Sequence, residues 1–234
     1  MAAALLTFEA VAKRFANDVV ALDRVSFGIG EGELVSLVGP SGCGKSTILR
    51  LAAGLTAPTG GIIRWSGLRP RLGFVFQDAA LMPWASVEKN VRLPLELLGV
   101  EEGVVRRRVA DTLALVGLTS FAQAVPRELS GGMKMRVSLA RALAPEPRVL
   151  LMDEPFAALD EFTRERLNDE LRGLWQSRGL TILFVTHSIY ESVYLSSRVL
   201  VMRPRPGHVV ADLAMAEPLQ RTADFRHTDV YAER

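Results

Sequence analysis

With one cysteine, Cys43, the 234-residue sequence can form no internal disulfide, which suits a reducing compartment. Its three histidines lie far apart, so no metal-ligand spacing occurs. Neither sign of charge dominates: 28 basic against 26 acidic residues leave a net charge of +2, too little to point to nucleic acid or an anionic membrane surface. Long hydrophobic runs are missing as well. The apolar stretches at 149–152 and 182–185 fall far short of the roughly 18 residues that suggest a membrane span, so a membrane role has to come through a partner. The first six residues have no positive charge ahead of their short apolar stretch, unlike a secretory signal, and no cleavage is expected. There is no fixed-period repeat, no low-complexity tract and no aromatic-basic cluster of the kind that stacks nucleic acid bases. The segment beyond Leu213 carries no motif.

What is present is enough chain for a substantial apolar core, patterned as alternating strands and helices. Short β-like runs recur at 7–11, 33–38, 72–76, 149–152, 181–185 and 199–202. Those at 149, 181 and 199 are almost wholly apolar, as expected of strands covered on both faces of a mostly parallel sheet. Between about residues 80 and 135 the β signal vanishes, and 87–98, 103–116 and 132–143 read as helices. This predicts an α-helical subdomain inserted into an α/β core. The less regular segments 19–29 and 62–65 are expected to form antiparallel strands, and the run from Arg203 to Gly207, with two prolines, breaks the chain before its last segment.

Gly39-Pro40-Ser41-Gly42-Cys43-Gly44-Lys45-Ser46-Thr47 follows an apolar strand and precedes a helical stretch at 48–53. The full G-x-x-x-x-G-K-[ST] pattern in that context is a phosphate-binding P-loop. Its glycines let backbone N–H groups wrap a phosphate, and the helix points its positive end at the anion. Lys45 supplies charge to the β- and γ-phosphates of ATP, and Ser46 a hydroxyl for Mg²⁺. Cys43 reads as an incidental small residue of the loop rather than a redox centre.

A second apolar strand ends in Asp153-Glu154, which puts both acids at the carboxyl edge of a parallel sheet, where such folds bind ligands. Alone, such a pair is usually a solvated turn. Behind a P-loop, Asp153 has the chemistry to hold Mg²⁺, directly or through water, and Glu154 to accept a proton from water attacking the γ-phosphate. His187 ends the strand at 181–186 and reaches the same edge, although a lone histidine is more often structural. Gln77 follows the strand at 72–76 and could bring an amide to the metal or the attacking water.

Leu129-Ser130-Gly131-Gly132-Met133 then gives the set its identity. The chain resembles the ATP-binding-cassette superfamily, whose signature is close to L-S-G-G-Q. The resemblance covers essentially the whole chain and includes, in order, Phe15, the P-loop, Gln77, the signature, Asp153-Glu154, Leu159-Asp160 and His187. It implies one cassette over 1–234: a P-loop NTPase (RecA-like) α/β core at about 1–79 and 136–234, with an antiparallel β subdomain and a helical subdomain at about 80–135.

By the same resemblance Phe15 stacks on adenine with Val20 nearby, although an aromatic in a short strand is otherwise most simply core. Two chains pack head to tail, so that Ser130, Gly131, Gly132 and Met133 face the ATP of the opposite subunit. The signature leads into a helix and offers a second anion-seeking N-terminus, which agrees with that role. Asp160 lies at the dimer seam; it is equally placed to cap the helix that follows, and both can hold.

Two residues depart from the family pattern: Met133 replaces the usual glutamine, and Met135 stands where another glutamine is frequent. Met133 is common in the importer branch that serves nitrate, sulfonate, taurine and similar solutes, and Leu81-Met-Pro-Trp84 and Arg205-Pro-Gly207 suggest the same branch. The implied partners are a second ATPase copy, two permease subunits and, indirectly, a solute-binding protein, at the cytoplasmic face of the inner membrane. An exporter or lipid-trafficking ATPase is the alternative. A nucleic-acid-associated cassette is disfavoured, because Thr47 and Leu129 lie too close for an intervening long coiled coil and only one cassette is present.

Overall fold

Strands that alternate an apolar and a polar face in this chain form an edge layer, and strands apolar throughout form the centre. The computed structural model describes residues 4–215; the rest of the segment beyond Leu213, from 216 on, lies outside the described residues. Three strands, β1 (Ala4–Arg14), β2 (Val20–Gly30) and β4 (Gly60–Trp65), make an antiparallel sheet in the order β2-β1-β4. The second sheet has six strands. Its members are β3 (Leu34–Val38), β5 (Leu72–Val75), β6 (Val149–Asp153), β7 (Thr181–Thr186), β8 (Arg198–Arg203) and β9 (His208–Ala214), in the order β5-β6-β7-β3-β8-β9. All pairs are parallel except β8 with β9. Every residue of β3, β6 and β7 is buried, as two-sided cover requires.

The period of two divides these central strands between two apolar clusters. Leu183 and Val185 of β7, Val35 and Leu37 of β3 and Leu151 of β6 face the small sheet and helix α1 (Lys45–Ala52), where Phe8 stacks on Phe27 with ring centroids 4.6 Å apart. Ile182, Phe184, Leu34, Leu150 and Met152 face the opposite way. They meet α4 (Gly131–Leu143), α5 (Glu161–Arg178) and α6 (Ile189–Leu195) through Leu139, Leu171 and Leu195.

A third cluster joins α2 (Val87–Leu97), α3 (Glu102–Leu115) and the other face of α4, through residues such as Val91, Val109 and Val137. Helix α4 thus belongs to two clusters at once, giving Met135, Leu139, Ala142 and Leu143 to one and Val137, Ala140 and Ala144 just past its end to the other. Two short 3₁₀ turns, Thr119–Phe121 and Pro126–Glu128, bridge α3 to α4.

The expected strands and helices are present with ends moved by one to three residues, and the two irregular segments do pair as antiparallel strands. Helix α1 starts at Lys45, inside the P-loop motif, rather than at 48. Helix α6 and strand β9 were not expected: the first is seven residues long, and the second is mostly exposed, so neither carries a clear apolar period. No helix among the described residues is long and apolar enough to cross a membrane.

Candidate functional site

Register in the six-stranded sheet brings the candidate residues to one edge. Val75 of β5 pairs with Met152 of β6, Asp153 with Val185 of β7, and Thr186 with Val38 of β3. Glu154, His187 and Gly39 follow directly on these ends and Gln77 comes two residues past Val75, so four loops leave the sheet at the same level.

The P-loop runs from Gly39 into α1. Its N-cap is Gly44 at φ 92°, with no side-chain cap, whereas α2 to α6 are each capped by a Ser, Glu or Asp side chain. The first amides of α1 are therefore left for an anion. Gly44 has no substitute at this point. Besides its left-handed backbone, a Cβ there would lie 2.5 Å from Leu22 Cδ2 and 2.9 Å from the Ala21 carbonyl.

Lys45 is 5% exposed, and its ammonium donates to the carbonyls of Gly39 (2.7 Å) and Pro40 (3.2 Å). It also stands 3.9 Å from Glu154 Oε1. Ser46 Oγ donates to Asp153 Oδ1 at 2.9 Å. The Cys43 thiol is buried in the apolar core and turned out of the cavity, while its N–H donates to Pro40 O.

Glu154 lies just past β6 at φ 44°, a left-handed conformation rare for glutamate, and its N–H donates to Val185 O at 2.9 Å. Its carboxylate is held from two sides, by Lys45 at Oε1 and by His187 Nδ1 at 3.2 Å from Oε2. An outlier of this kind at a strand end is the strain expected of a site that fixes one carboxylate.

Beside these groups is a cavity of about 560 Å³. One end is formed by Phe15, Val19, Val20 and Ala21, and the other by Ser41, Gly42, Gly44, Lys45, Ser46 and Thr47, with Gln77, Glu154 and Arg205 around it. Phe15 lies in the β1–β2 turn, not in a strand and not in the core; it is 40% exposed, and Lys13 Nζ sits 5.4 Å from its ring centroid. The cavity has an aromatic and apolar end and an amide-rich, cationic end, as a nucleoside triphosphate requires. Asp153 and His187 do not line it; Asp153 stands behind Ser46, and His187 reaches it through Glu154.

The donor set at Ser46 and Asp153 fits Mg²⁺. A hydroxyl and a carboxylate oxygen are hydrogen-bonded neighbours, with the Gln77 amide on the same cavity, and hard cations take oxygen ligands while leaving room for substrate phosphates. Burial pushes the Asp153 carboxyl up from its ordinary range, against the Ser46 hydrogen bond, and nearby Glu154 pushes it further; a divalent cation is the charge that reverses this. Among the described residues no cluster of three or more His, Cys, Asp and Glu forms an all-protein metal cage.

The signature residues are elsewhere. Ser130 is exposed and caps α4, its Oγ accepting from Met133 N–H at 3.3 Å. Gly132 packs so tightly on α5 that a Cβ would lie 2.7 Å from Thr163 Cγ2. The Met133 side chain packs against the third apolar cluster. None of Ser130, Gly131, Gly132 and Met133 lines the cavity beside this chain's own P-loop; Gly131 lines a separate one of about 430 Å³, which Gln77 shares. Asp160 caps α5, accepting from Thr163 N–H at 3.0 Å, and that hydrogen bond holds its carboxyl below the ordinary range.

Three residues of the cavity, Val19, Ala21 and Arg205, are not among the candidates from the sequence, and of these Arg205 is the charged one. Arg205 belongs to the Arg205-Pro-Gly207 submotif, and the signal that points to it is the β8–β9 turn, which leaves the sheet at the same edge as the P-loop.

The family model described as ABC transporter matches residues 22–157. The taurine import ATP-binding protein TauB of Rhizobium johnstonii is 47% identical over 222 residues, 92% of this chain and 85% of its own. The nitrate import ATP-binding protein NrtD of Synechocystis is 46% identical over 86% of this chain and 78% of its own. The aliphatic sulfonates import ATP-binding protein SsuB of Bacillus cereus is 39% identical over 94% and 90%. Among solved structures, the dimeric cassette MJ0796 bound to ADP and Pi in a post-hydrolysis state superposes with a TM-score of 0.80 at 32% identity, covering 90% of this chain and 98% of that one. With the cassette fold and the P-loop edge both in place, the chain belongs to the ABC transporter family, as an ATP-hydrolysing cassette.

Proposed function

We propose that this cassette, a single unit over 1–234 with its helical subdomain at about 80–135, energises import of a small solute of the nitrate, sulfonate or taurine class. The solute passes through two transmembrane permease subunits, supplied by a solute-binding protein, and the cassette binds them peripherally at the cytoplasmic face of the inner membrane. The observation that carries this reading is the similarity to ATP-binding proteins of taurine, nitrate and aliphatic sulfonates import, at 39–47% identity over most of the chain. A groove of about 640 Å³ on the helical subdomain, lined by Met82, Trp84, Lys89, Arg92 and Gln123, is the proposed permease seat; Trp84 is 80% exposed there.

In the proposed chemistry Phe15 stacks on adenine beside Val20. The amides of Ser41 to Thr47 hold the phosphates, and Lys45 exchanges its loop carbonyls for the β- and γ-phosphates. Ser46, Asp153 and Gln77 would hold Mg²⁺, which supplies neutralisation of charge developing on the phosphates. Water attacks the γ-phosphorus, the bond to the leaving ADP oxygen breaks, and the water proton goes to Glu154. His187 keeps that carboxylate aimed. Ser130, Gly131, Gly132 and Met133 of a second copy complete the site, with Asp160 at the seam.

Glu154→Gln keeps the size of the side chain and loses the proton acceptor. Turnover should fall by about 10²- to 10⁴-fold, while Mg·ATP still binds and the ATP-bound dimer accumulates on gel filtration; near-normal turnover would remove Glu154 from this role. For the import reading, co-purification of the permease followed by solute-stimulated ATPase in proteoliposomes is decisive. Stimulation by nitrate, taurine or a sulfonate supports it, and lipid-stimulated activity instead would favour the exporter alternative.

A further inference from the structure

Within the nucleotide cavity one cation has no assigned partner. Arg205 lines it and is exposed, and among the described residues no hydrogen bond or ion pair engages its guanidinium. Lys45, the other cation of the cavity, is drawn onto loop carbonyls. Arg205 is held at φ 60°, in the left-handed region that arginine seldom occupies.

The turn that carries Arg205 is pinned in place. Gly207 N–H donates to Ala21 O, and Asp23 N–H donates to Gly207 O, each at 3.0 Å. The fit at Gly207 is closer still, since a Cβ there would stand 2.2 Å from Cys43 O and 2.6 Å from Ala21 O. One glycine therefore touches both ends of the cavity: Ala21, beside the Phe15 platform, and Cys43, inside the phosphate loop. Two residues earlier, Arg205 is delivered to the junction between them.

That junction is where a nucleotide has its ribose and α-phosphate. We infer that Arg205 is a further nucleotide-binding residue, whose guanidinium donates charge-assisted hydrogen bonds to the α-phosphate. The pairing suits a planar, permanently charged donor. It differs from the Lys45 interaction in one testable respect: it does not depend on the γ-phosphate, so ATP and ADP benefit alike. The inference rests on the cavity being the nucleotide site.

The test is competitive binding of ATP, ADP and adenosine to full-length Arg205→Ala, Arg205→Lys and Lys45→Ala. For Arg205→Ala, the dissociation constants of ATP and ADP should both rise about 10-fold, equivalent to about 1.4 kcal/mol, with adenosine unchanged and Arg205→Lys recovering part of the loss. Melting of the nucleotide-free variants checks that they are folded, and the lysine variant keeps the test alive if the alanine variant is not. Unchanged ADP affinity in Arg205→Ala, with Lys45→Ala weakened, overturns the assignment alone. Equal weakening of adenosine and ADP also overturns it, by moving the contact to the nucleoside. If neither substitution changes ATP affinity, the cavity reading falls with it.

Discussion

Glu191 lies buried on α6, four residues past His187, and accepts a hydrogen bond from Thr186 Oγ1, while its Oε1 has no hydrogen-bond partner among the described residues. Burial pushes its carboxyl up from the ordinary 4.5, opposed by hydrogen bonds from Thr186 and Asn168 and by the charges of Arg164 and His187. A raised carboxyl pKa means that the folded protein holds this proton more tightly than the unfolded chain does. The resulting burial penalty is absent below the unfolded value, grows as pH rises towards the folded value and is complete above it. Glu191→Gln cannot ionise, so its stability relative to the parent should move in its favour between pH 4 and pH 7. Urea unfolding of both proteins across that range checks the sign; a gap independent of pH would mean that the ionised form is not what burial opposes. The same scale explains which site residues could be read from the sequence. Lys45, Ser46, Asp153 and Glu154 sit in patterns that chemistry demands at fixed spacing. Arg205 enters the cavity because a distant turn is pinned to β2 beside the P-loop, and Glu191 is buried by helix packing; neither leaves a local signature.

Elements are held by side chains of the same unreadable kind. Asn90 on α2 is fully buried; its Oδ1 accepts from Met82 N–H at 2.8 Å, and its Nδ2 donates to the carbonyls of Met82, Ala85 and Ser86 at 3.0–3.3 Å. It fixes the loop that presents Trp84. Asn90→Ala leaves those backbone groups short of partners, at a cost of about 1–3 kcal/mol. Amide exchange over 82–86 should quicken and the melting temperature fall, with ATP affinity kept within about twofold because the P-loop packs in a different cluster. Protection of 82–86 equal to the parent's would show that the loop is held by something else. Burial also explains which elements were legible. β3, β6 and β7 are unbroken apolar runs because both faces are covered, and α2 to α4 are long enough to show a helical period. The start of α1 was hidden because its first residues, Lys45, Ser46 and Thr47, are the polar ones that phosphate binding requires.

For the whole molecule, one chain offers a P-loop cavity and, apart from it, a capped signature helix. If the two meet only across a pair of chains, Ser130→Arg and Lys45→Ala each abolish turnover alone, yet a mixed dimer retains one composite site with both partners intact. ATPase assays on mixtures should recover part of the parent rate, up to about one site in half of the dimers; no recovery in mixtures shown to form heterodimers would reject the head-to-tail arrangement. That arrangement was not available from strand and helix patterns, which concern one chain, and it entered through the signature residues alone. Helix α4 bears on the same point through leverage. Gripped along both flanks by separate apolar clusters, it has to move as a rod, and its 13 residues span about 20 Å. A tilt of about 10° at its far end would swing Ser130 by about 3 Å, which is more than a hydrogen bond tolerates. If the signature faces a phosphate of a second chain, a rotation of that size is enough to make or break the contact.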